Sequence, residues 1–259
     1  MPRPSFNIVI IGSGNMANAL GNLFLKKNKI VQIISRNKKT GSVLAKKLKS
    51  TFHHSLIEIN TTADFYFLCV PDDEIKKVSK KIQHLTGTIV HHSGSKPIDE
   101  INTPLSKAVI YPFLSINIAT DLNKKDTTIF YQSNNNSTDF LLKQLLQSYK
   151  FNSVSTTDKN REKLHLAAVL VNNFTNHLYL QAQNLVGNDV ISNELLVRLA
   201  EQSIDNFRKN KTKINQSGPA RRNDKSTMKN HLDLINKNKE LAKIYLSLSQ
   251  SITKTYNHE

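Results

Sequence analysis

The chain has 259 residues but only one cysteine, Cys69, set inside an apolar segment. That excludes a disulfide framework, and a cytoplasmic setting is expected. No apolar run approaches the ~20 residues a membrane span requires, so no membrane partner is expected. The opening Met-Pro-Arg-Pro-Ser-Phe leads straight into a predicted strand and lacks the apolar stretch of a secretory signal. Acidic residues are few, 20 against 36 Lys and Arg, for a net charge of +16. Such a balance raises nucleic acid as a partner. Only seven of the basic residues are Arg, however, and the Lys are spread along the whole chain. No basic run is interleaved with aromatics, and neither zinc-finger spacing nor an RNA-binding signature occurs. Charge spread in this way predicts non-specific adhesion and no specific nucleic-acid site.

Glycine is also scarce, which makes its placement informative. Of 8 glycines, Gly12, Gly14 and Gly21 fall within ten residues. They follow an apolar strand, Asn7–Ile11, and lead into a predicted helix, Asn15–Lys27, as G-x-G-x-x-A. In a dinucleotide site Gly12 makes the tight turn, Gly14 admits a pyrophosphate, and Ala17 lets the helix pack closely on the sheet. The helix N-terminus supplies free N–H groups and the positive dipole end. Ser13, Asn15 and Met16 complete the cradle.

The first half alternates strands with helices. Further strands are predicted at Ile30–Ser35, Phe65–Val70, Thr88–His92, Ala108–Tyr111, Thr127–Tyr131 and Ser153–Thr156. Helices are predicted at Thr40–Lys49, Asp72–Gln83 and Thr138–Tyr149. This order predicts an α/β doubly wound Rossmann sheet. Past a boundary near Asp158 the pattern is helical: Arg161–Val186, Ser192–Asn210, Ser226–Asn236 and Lys239–Thr255. The expected organisation is a dinucleotide-binding domain over residues 1–157 and an all-α substrate and dimerisation domain over 158–259.

The second predicted strand ends at Ser35-Arg36-Asn37, where an NAD enzyme usually carries an acid for the ribose 2′-hydroxyl. A hydroxyl and a guanidinium suit a 2′-phosphate instead, so NADP is favoured over NAD. Two more strand ends are expected at the same crevice: Val70-Pro71-Asp72, and His91-His92-Ser93-Gly94-Ser95. Ser93 is assigned to the cofactor and Ser95 to the substrate, with Tyr111 closing the pocket. His91 and His92 alternate on a strand, one expected buried and one exposed, so they cannot share a metal. No metal site is expected.

The helix Arg161–Val186 is rich in Leu, Ala and Val, yet carries His165, Asn172, Asn173, Asn176 and His177. At ~100° per residue, His165, Asn172 and Asn176 fall within about 40° of each other. Asn173 sits to one side and His177 further round. Buried amides and imidazoles are costly unless bonded, so the stripe is either a satisfied structural network or the wall of a site, the grouping favouring the second. In the loop Ser217–Asp224, Arg221 and Arg222 either bind an anionic substrate group or pair with Asp224.

The segment Gly12-Ser-Gly-Asn-Met-Ala-Asn-Ala-Leu20 resembles the start of pyrroline-5-carboxylate reductases and of coenzyme F420-dependent NADP oxidoreductases. The blocks His92–Ser95, Tyr111–Phe113, Ala167–Leu178 and Ser217–Asp224 together resemble a family that joins a Rossmann-like domain to a C-terminal helical domain of unknown function. The resemblance spans essentially the whole chain. It implies the fold of the 6-phosphogluconate-dehydrogenase-like superfamily, with dimers packed through the helical domain. In 3-hydroxyisobutyrate-type dehydrogenases the matching helix carries Lys-x-x-x-Asn. If Asn172 or Asn173 is that Asn, the Lys position holds Ala168 or Val169, so the lysine mechanism does not carry over. Acid–base chemistry then falls to His165, His177, a Ser of the Ser93–Ser95 loop, Tyr111 or water, with histidine the natural candidate and Asn172 beside it. The expected activity is NADPH-dependent reduction of a small C=O or C=N substrate held by Ser95, Tyr111, Asn173 and Arg221. The alternative is a non-catalytic dinucleotide-binding sensor or scaffold.

Overall fold

β1 (Asn7–Ile11) carries four apolar residues in succession, and all four are buried. A strand covered on both faces has no reason to alternate. In the computed structural model, which describes residues 5–117, 120, 122, 127–187 and 189–256, Ile8 and Ile10 enter one core cluster. Val9 and Ile11 enter the cluster on the opposite face. α1 (Asn15–Phe24) and α2 (Lys38–Lys47) follow β1 and β2 (Lys29–Ile34). Ala17, Leu20, Leu23 and Phe24 of α1 lie in the first cluster. Gly21 is needed there, because a Cβ would sit 2.4 Å from Leu48 at the end of α2.

β3 (Thr51–His53), β4 (Phe65–Leu68), β5 (Thr88–His91), β6 (Lys107–Pro112), β7 (Thr128–Ser133) and β8 (Asn152–Ser155) complete the sheet. Its order is β3-β2-β1-β4-β5-β6-β7-β8. All described pairings are parallel except β6 with β7. The chain winds outwards from β1 to β3, then returns to place β4 on the other side of β1. That reversal opens a crevice beyond the C-terminal ends of β1 and β4. The expected doubly wound α/β fold is therefore present, with one antiparallel turn added at β6–β7. β3 has no counterpart among the predicted strands, being three residues long at the sheet edge.

The predicted helix over 72–83 is a 3-10 turn, Asp72–Glu74, followed by α3 (Ile75–Lys81). α4 (Asn136–Ser148) is capped by Asn135, whose side chain accepts from the Thr138 N–H. After β8, the long predicted helix Arg161–Val186 is three pieces. α5 (Asp158–Ala168) runs into a π-helical turn, Val169–Phe174, and then into α6 (Thr175–Val186).

The chain divides into two compact units after Asn172. The first keeps α5, because Arg161 of that helix is wholly buried and bonded to the sheet unit. The second, taken by itself, contains α6, α7 (Val190–Arg208), α8 (Lys225–Leu234) and α9 (Lys239–Tyr256), so the C-terminal part is all-α. None of these four helices has a buried residue among those described. Among the described residues no helix is long and apolar enough to cross a membrane.

Candidate dinucleotide and substrate site

The turn after β1 is built around Gly12. Its φ is +123°, and a Cβ there would lie 1.9 Å from the Cys69 carbonyl oxygen, so only glycine fits. Its N–H donates to the Ile34 carbonyl at 2.8 Å, which pins the turn between β2 and β4. Gly14 is the N-cap of α1 and supplies no side-chain cap. A Cβ on Gly14 would meet nothing within 4 Å, so open space lies above the helix end. The first turn of α1 contains no acid. This is a positive helix end without a side-chain cap, facing open space, which fits a pyrophosphate. Asn15 is exposed there, and Met16 packs back against the core.

Beside the cradle, the Ser13 hydroxyl lies 2.7 Å from Ser35 Oγ and 2.6 Å from Thr40 Oγ1. Thr40 falls in the first turn of α2, whose N-cap is Asn37 and which carries Lys38 and Lys39 but no acid. Lysines at a helix N-terminus oppose the macrodipole, and an anion placed there relieves both. Arg36 is 79% exposed and reaches Glu74 Oε2 at 3.4 Å, while Lys77 holds the other oxygen. Val70 is half-buried against the core and Pro71 is exposed at the end of β4.

A second group of residues lies beyond β5 and β6. Ser93 is buried and its hydroxyl donates to Asp72 Oδ2 at 2.6 Å. The Ser93 Oγ in turn accepts the N–H groups of Ser95 and Lys96, so Ser93 shapes its own loop. Ser95 donates to Asp72 at 3.2 Å and remains exposed. The Tyr111 hydroxyl lies 3.1 Å from His165 Nδ1, with the two rings edge to face. Burial pushes the Tyr111 phenol up, and the Arg161 charge opposes that rise. Gly94 passes directly under His165: a Cβ there would be 2.5 Å from the ring's Cγ and Nδ1. Gly94 therefore lets the imidazole of α5 rest on the β5 loop.

The expectation of one buried and one exposed histidine is corrected, since His91 and His92 are both buried. The sheet is covered on both faces, so neither side of β5 meets water. His91 donates to the Pro97 carbonyl and accepts the Ser93 N–H. Burial first, then the Arg161 charge, pulls its pKa down to about 4. His92 bonds the Ile110 carbonyl at 2.8 Å and stacks on Phe67. Burial pulls it down to about 3. Both are structural and neutral. Among the described residues no cluster of His, Cys, Asp and Glu could hold a metal ion.

The polar stripe also needs correction. Projection at a uniform ~100° per residue fails across Val169–Phe174, because a π turn inserts about one extra residue and turns later side chains by roughly that angle. Asn172, Asn173, Asn176 and His177 are exposed rather than buried, so the cost of burying amides does not arise in the single chain. His165 is half-buried. In the second unit, His177 lies 3.5 Å from Gln181 Nε2. Arg221 stacks on the Tyr256 ring at 4.8 Å and donates to its carbonyl. Asp224 caps α8, accepting from Thr227, and those bonds hold its carboxyl below the usual range.

Three residues at these sites were given no site role by the sequence reading. Thr40 stands where the helix was predicted to begin, two residues after its true start. Asp72 reads as a helix-start acid and serves as the acceptor for Ser93 and Ser95. Arg161 is one of the few arginines in a lysine-rich chain, which was the available signal.

Residues 7–90 match the family described as NADP oxidoreductase, coenzyme F420-dependent. Residues 127–252 match a domain of unknown function, DUF2520. The first part of the chain thus resembles NADP-oxidoreductase-type domains and the second a DUF2520 domain. It is similar to a crystal structure of a Bacteroides fragilis protein provisionally assigned as an NADP oxidoreductase, at 26% identity, TM-score 0.84, over 96% of this chain and 98% of the other. It shares its fold with the 1-pyrroline-5-carboxylate reductase of Streptococcus pyogenes, at 15% identity, TM-score 0.58, over 98% and 99% of the two chains. The NADP-bound pyrroline carboxylate reductase of Plasmodium falciparum is similar at 15% identity, TM-score 0.55, over 97% of each chain. No curated protein matches the chain.

Proposed function

We propose that the protein is an NADPH-dependent reductase of a small substrate with a C=O or C=N bond. The observation that carries this reading is the Gly12–Ala17 turn, an uncapped helix end under open space at the β1/β4 reversal. Bound NADPH supplies the hydride. The chain's own residues bind, orient and deliver the proton. The amides of Gly14 to Ala17 hold the pyrophosphate, aided by Ser13, Asn15 and Met16. Ser35, Arg36 and Thr40, with Lys38 and Lys39 beside them, support a 2′-phosphate and hence NADP over NAD. Val70, Pro71 and the Ser93 loop line the crevice. His165, bonded to Tyr111, is the favoured proton donor, with Asn172 as a further candidate and Ser95 and Tyr111 for the substrate. Large apolar side chains exposed on α6 and α7, among them Leu185, Ile191 and Phe207, support a homodimer through the helical unit.

Calorimetric titration with NADPH and NADH, on wild type and Arg36→Ala, tests the cofactor. Micromolar NADPH binding, weaker NADH binding and loss of the preference in the variant are expected. Absence of binding by either nucleotide sinks the reading. NADPH oxidation over a panel of ketoacids and imines then tests turnover. Tight binding with no turnover on any of them favours a sensor.

A further inference from the structure

Arg161 is the largest side chain that is fully buried in the described structure, at 0% exposure. Burying a guanidinium is costly unless each arm is bonded. Here Nε donates to the Ser93 carbonyl at 3.2 Å, and one terminal nitrogen donates to Gln132 Oε1 at 2.6 Å. The other donates to the Lys96 carbonyl at 2.6 Å and to Asp158 Oδ1 at 2.7 Å. That carboxylate oxygen also accepts the Ile98 N–H. The fork therefore joins α5 to both ends of the Ser93–Lys96 loop and to β7. Four acceptors on three segments bind a buried charge where a hydrophobic side chain of similar volume would cost less, unless their relative placement matters.

Their placement does matter for one pair. His165 lies one helical turn beyond Arg161 on α5, and its ring rests on Gly94, within the very loop that Arg161 clamps. Tyr111, from β6, completes the contact at 3.1 Å from Nδ1. We propose that Arg161 is a positioning residue: it locks α5 to the Ser93–Lys96 loop and so holds the Tyr111–His165 pair in register with the crevice. The proposal rests on the reductase reading for its catalytic meaning. If the phenol donates to Nδ1, the ring proton of the neutral imidazole is on Nε2, and the tautomer reports whether that contact is kept. Ionisable groups facing Arg161 include His91 from β5, Asp158 from α5 and Tyr111 from β6. Lysine keeps the charge but cannot reach all four acceptors with a planar fork, so the fork is the feature under test.

The experiment compares wild type, Arg161→Lys and Tyr111→Phe, each checked for folding by circular dichroism. The first readout is the His165 tautomer, from its ring nitrogen-15 shifts above neutral pH. Wild type is expected to hold the Nε2–H form. Arg161→Lys is expected to resemble Tyr111→Phe, with both tautomers populated. NADPH affinity should stay within about twofold, since the Gly12–Ala17 turn is untouched, while kcat falls at least about tenfold with KM nearly unchanged. A general loss of stability moves neither the tautomer of the folded state nor that kinetic split. A folded Arg161→Lys with the wild-type tautomer and kcat overturns the proposal. If that variant does not fold, Asp158→Asn, which weakens a single arm, must shift the tautomer in the same direction, or the proposal fails. If wild type neither binds NADPH nor turns over, the reductase reading fails, and the tautomer comparison still decides whether Arg161 positions the pair.

Discussion

Replacing Gly94 with alanine is expected to separate Tyr111 from His165. The added Cβ would lie 2.5 Å from His165 Cγ and Nδ1 and 2.8 Å from His165 Cβ. Ordinary carbon contacts are about 3.5–4 Å, so the ring or the loop must retreat by roughly 1 Å. Neither side is free to move, because Arg161 ties the loop to the same helix that carries His165. A retreat of that size takes the 3.1 Å contact with Tyr111 beyond hydrogen-bonding range. Overpacking costs about 1–3 kcal/mol, and the lost hydrogen bond adds ~1 kcal/mol. Removing glycine's freedom in the unfolded chain returns only ~0.4–1 kcal/mol, so the net effect is destabilising. Urea unfolding of Gly94→Ala should show a loss of about 1–3 kcal/mol. NADPH affinity should be unchanged, and any turnover should fall on the order of 100-fold, as expected for a ~1 Å misplacement. Stability within ~0.5 kcal/mol of wild type, with the Tyr111–His165 distance unaltered, refutes the reasoning.

Other outcomes follow from the same geometry. Gly12→Ala meets both a φ of +123° and a backbone oxygen at 1.9 Å, so it should cost more than Gly94→Ala and should abolish nucleotide binding, read by denaturation and calorimetry. Glu74→Gln releases Arg36 from an exposed pair; stability should change by less than ~1 kcal/mol while NADPH binding tightens several-fold relative to NADH, and an unchanged ratio counts against Arg36 as a 2′-phosphate ligand. His91 and His92 have folded values of about 4 and about 3, below the ordinary 6.5, so protonation favours the unfolded chain. Their contribution is full above about pH 6.5 and is lost as pH falls towards the folded values, at ~1.4 kcal/mol per pH unit for each histidine. Urea midpoints should therefore decline from pH 6.5 downwards, and His92→Phe, which keeps the stack on Phe67, should flatten that decline; equal slopes in both proteins would remove His92 from the account.

Much of the sheet could be read in advance, because its signals are local. An apolar run such as Ile8–Ile11 has to be covered on both faces, and a glycine after it has to turn. Helix ends were predicted to within a few residues, since caps such as Asn37 and Asn135 act on their own first turns. The Gly12–Ala17 cradle was legible for the same reason. The short strand β3 was not, because three residues at an edge carry no period. Nor was the π turn at Val169–Phe174, which misaligned the polar stripe drawn from His165 through Asn172 to Asn176.

By itself, then, the sequence determined the doubly wound α/β unit, the helical C-terminal part and the placement of the glycine turn, all of which follow from periodicity and near-neighbour bonding. Only the tertiary structure decided which polar residues meet. Ser13, Ser35 and Thr40 converge from three segments, and Arg161 reaches Ser93, Lys96 and Gln132 across the sheet end. Tyr111 and His165 are 54 positions apart along the chain. No local pattern encodes such encounters; they are fixed by strand order and by the packing of α5, which the whole core sets at once.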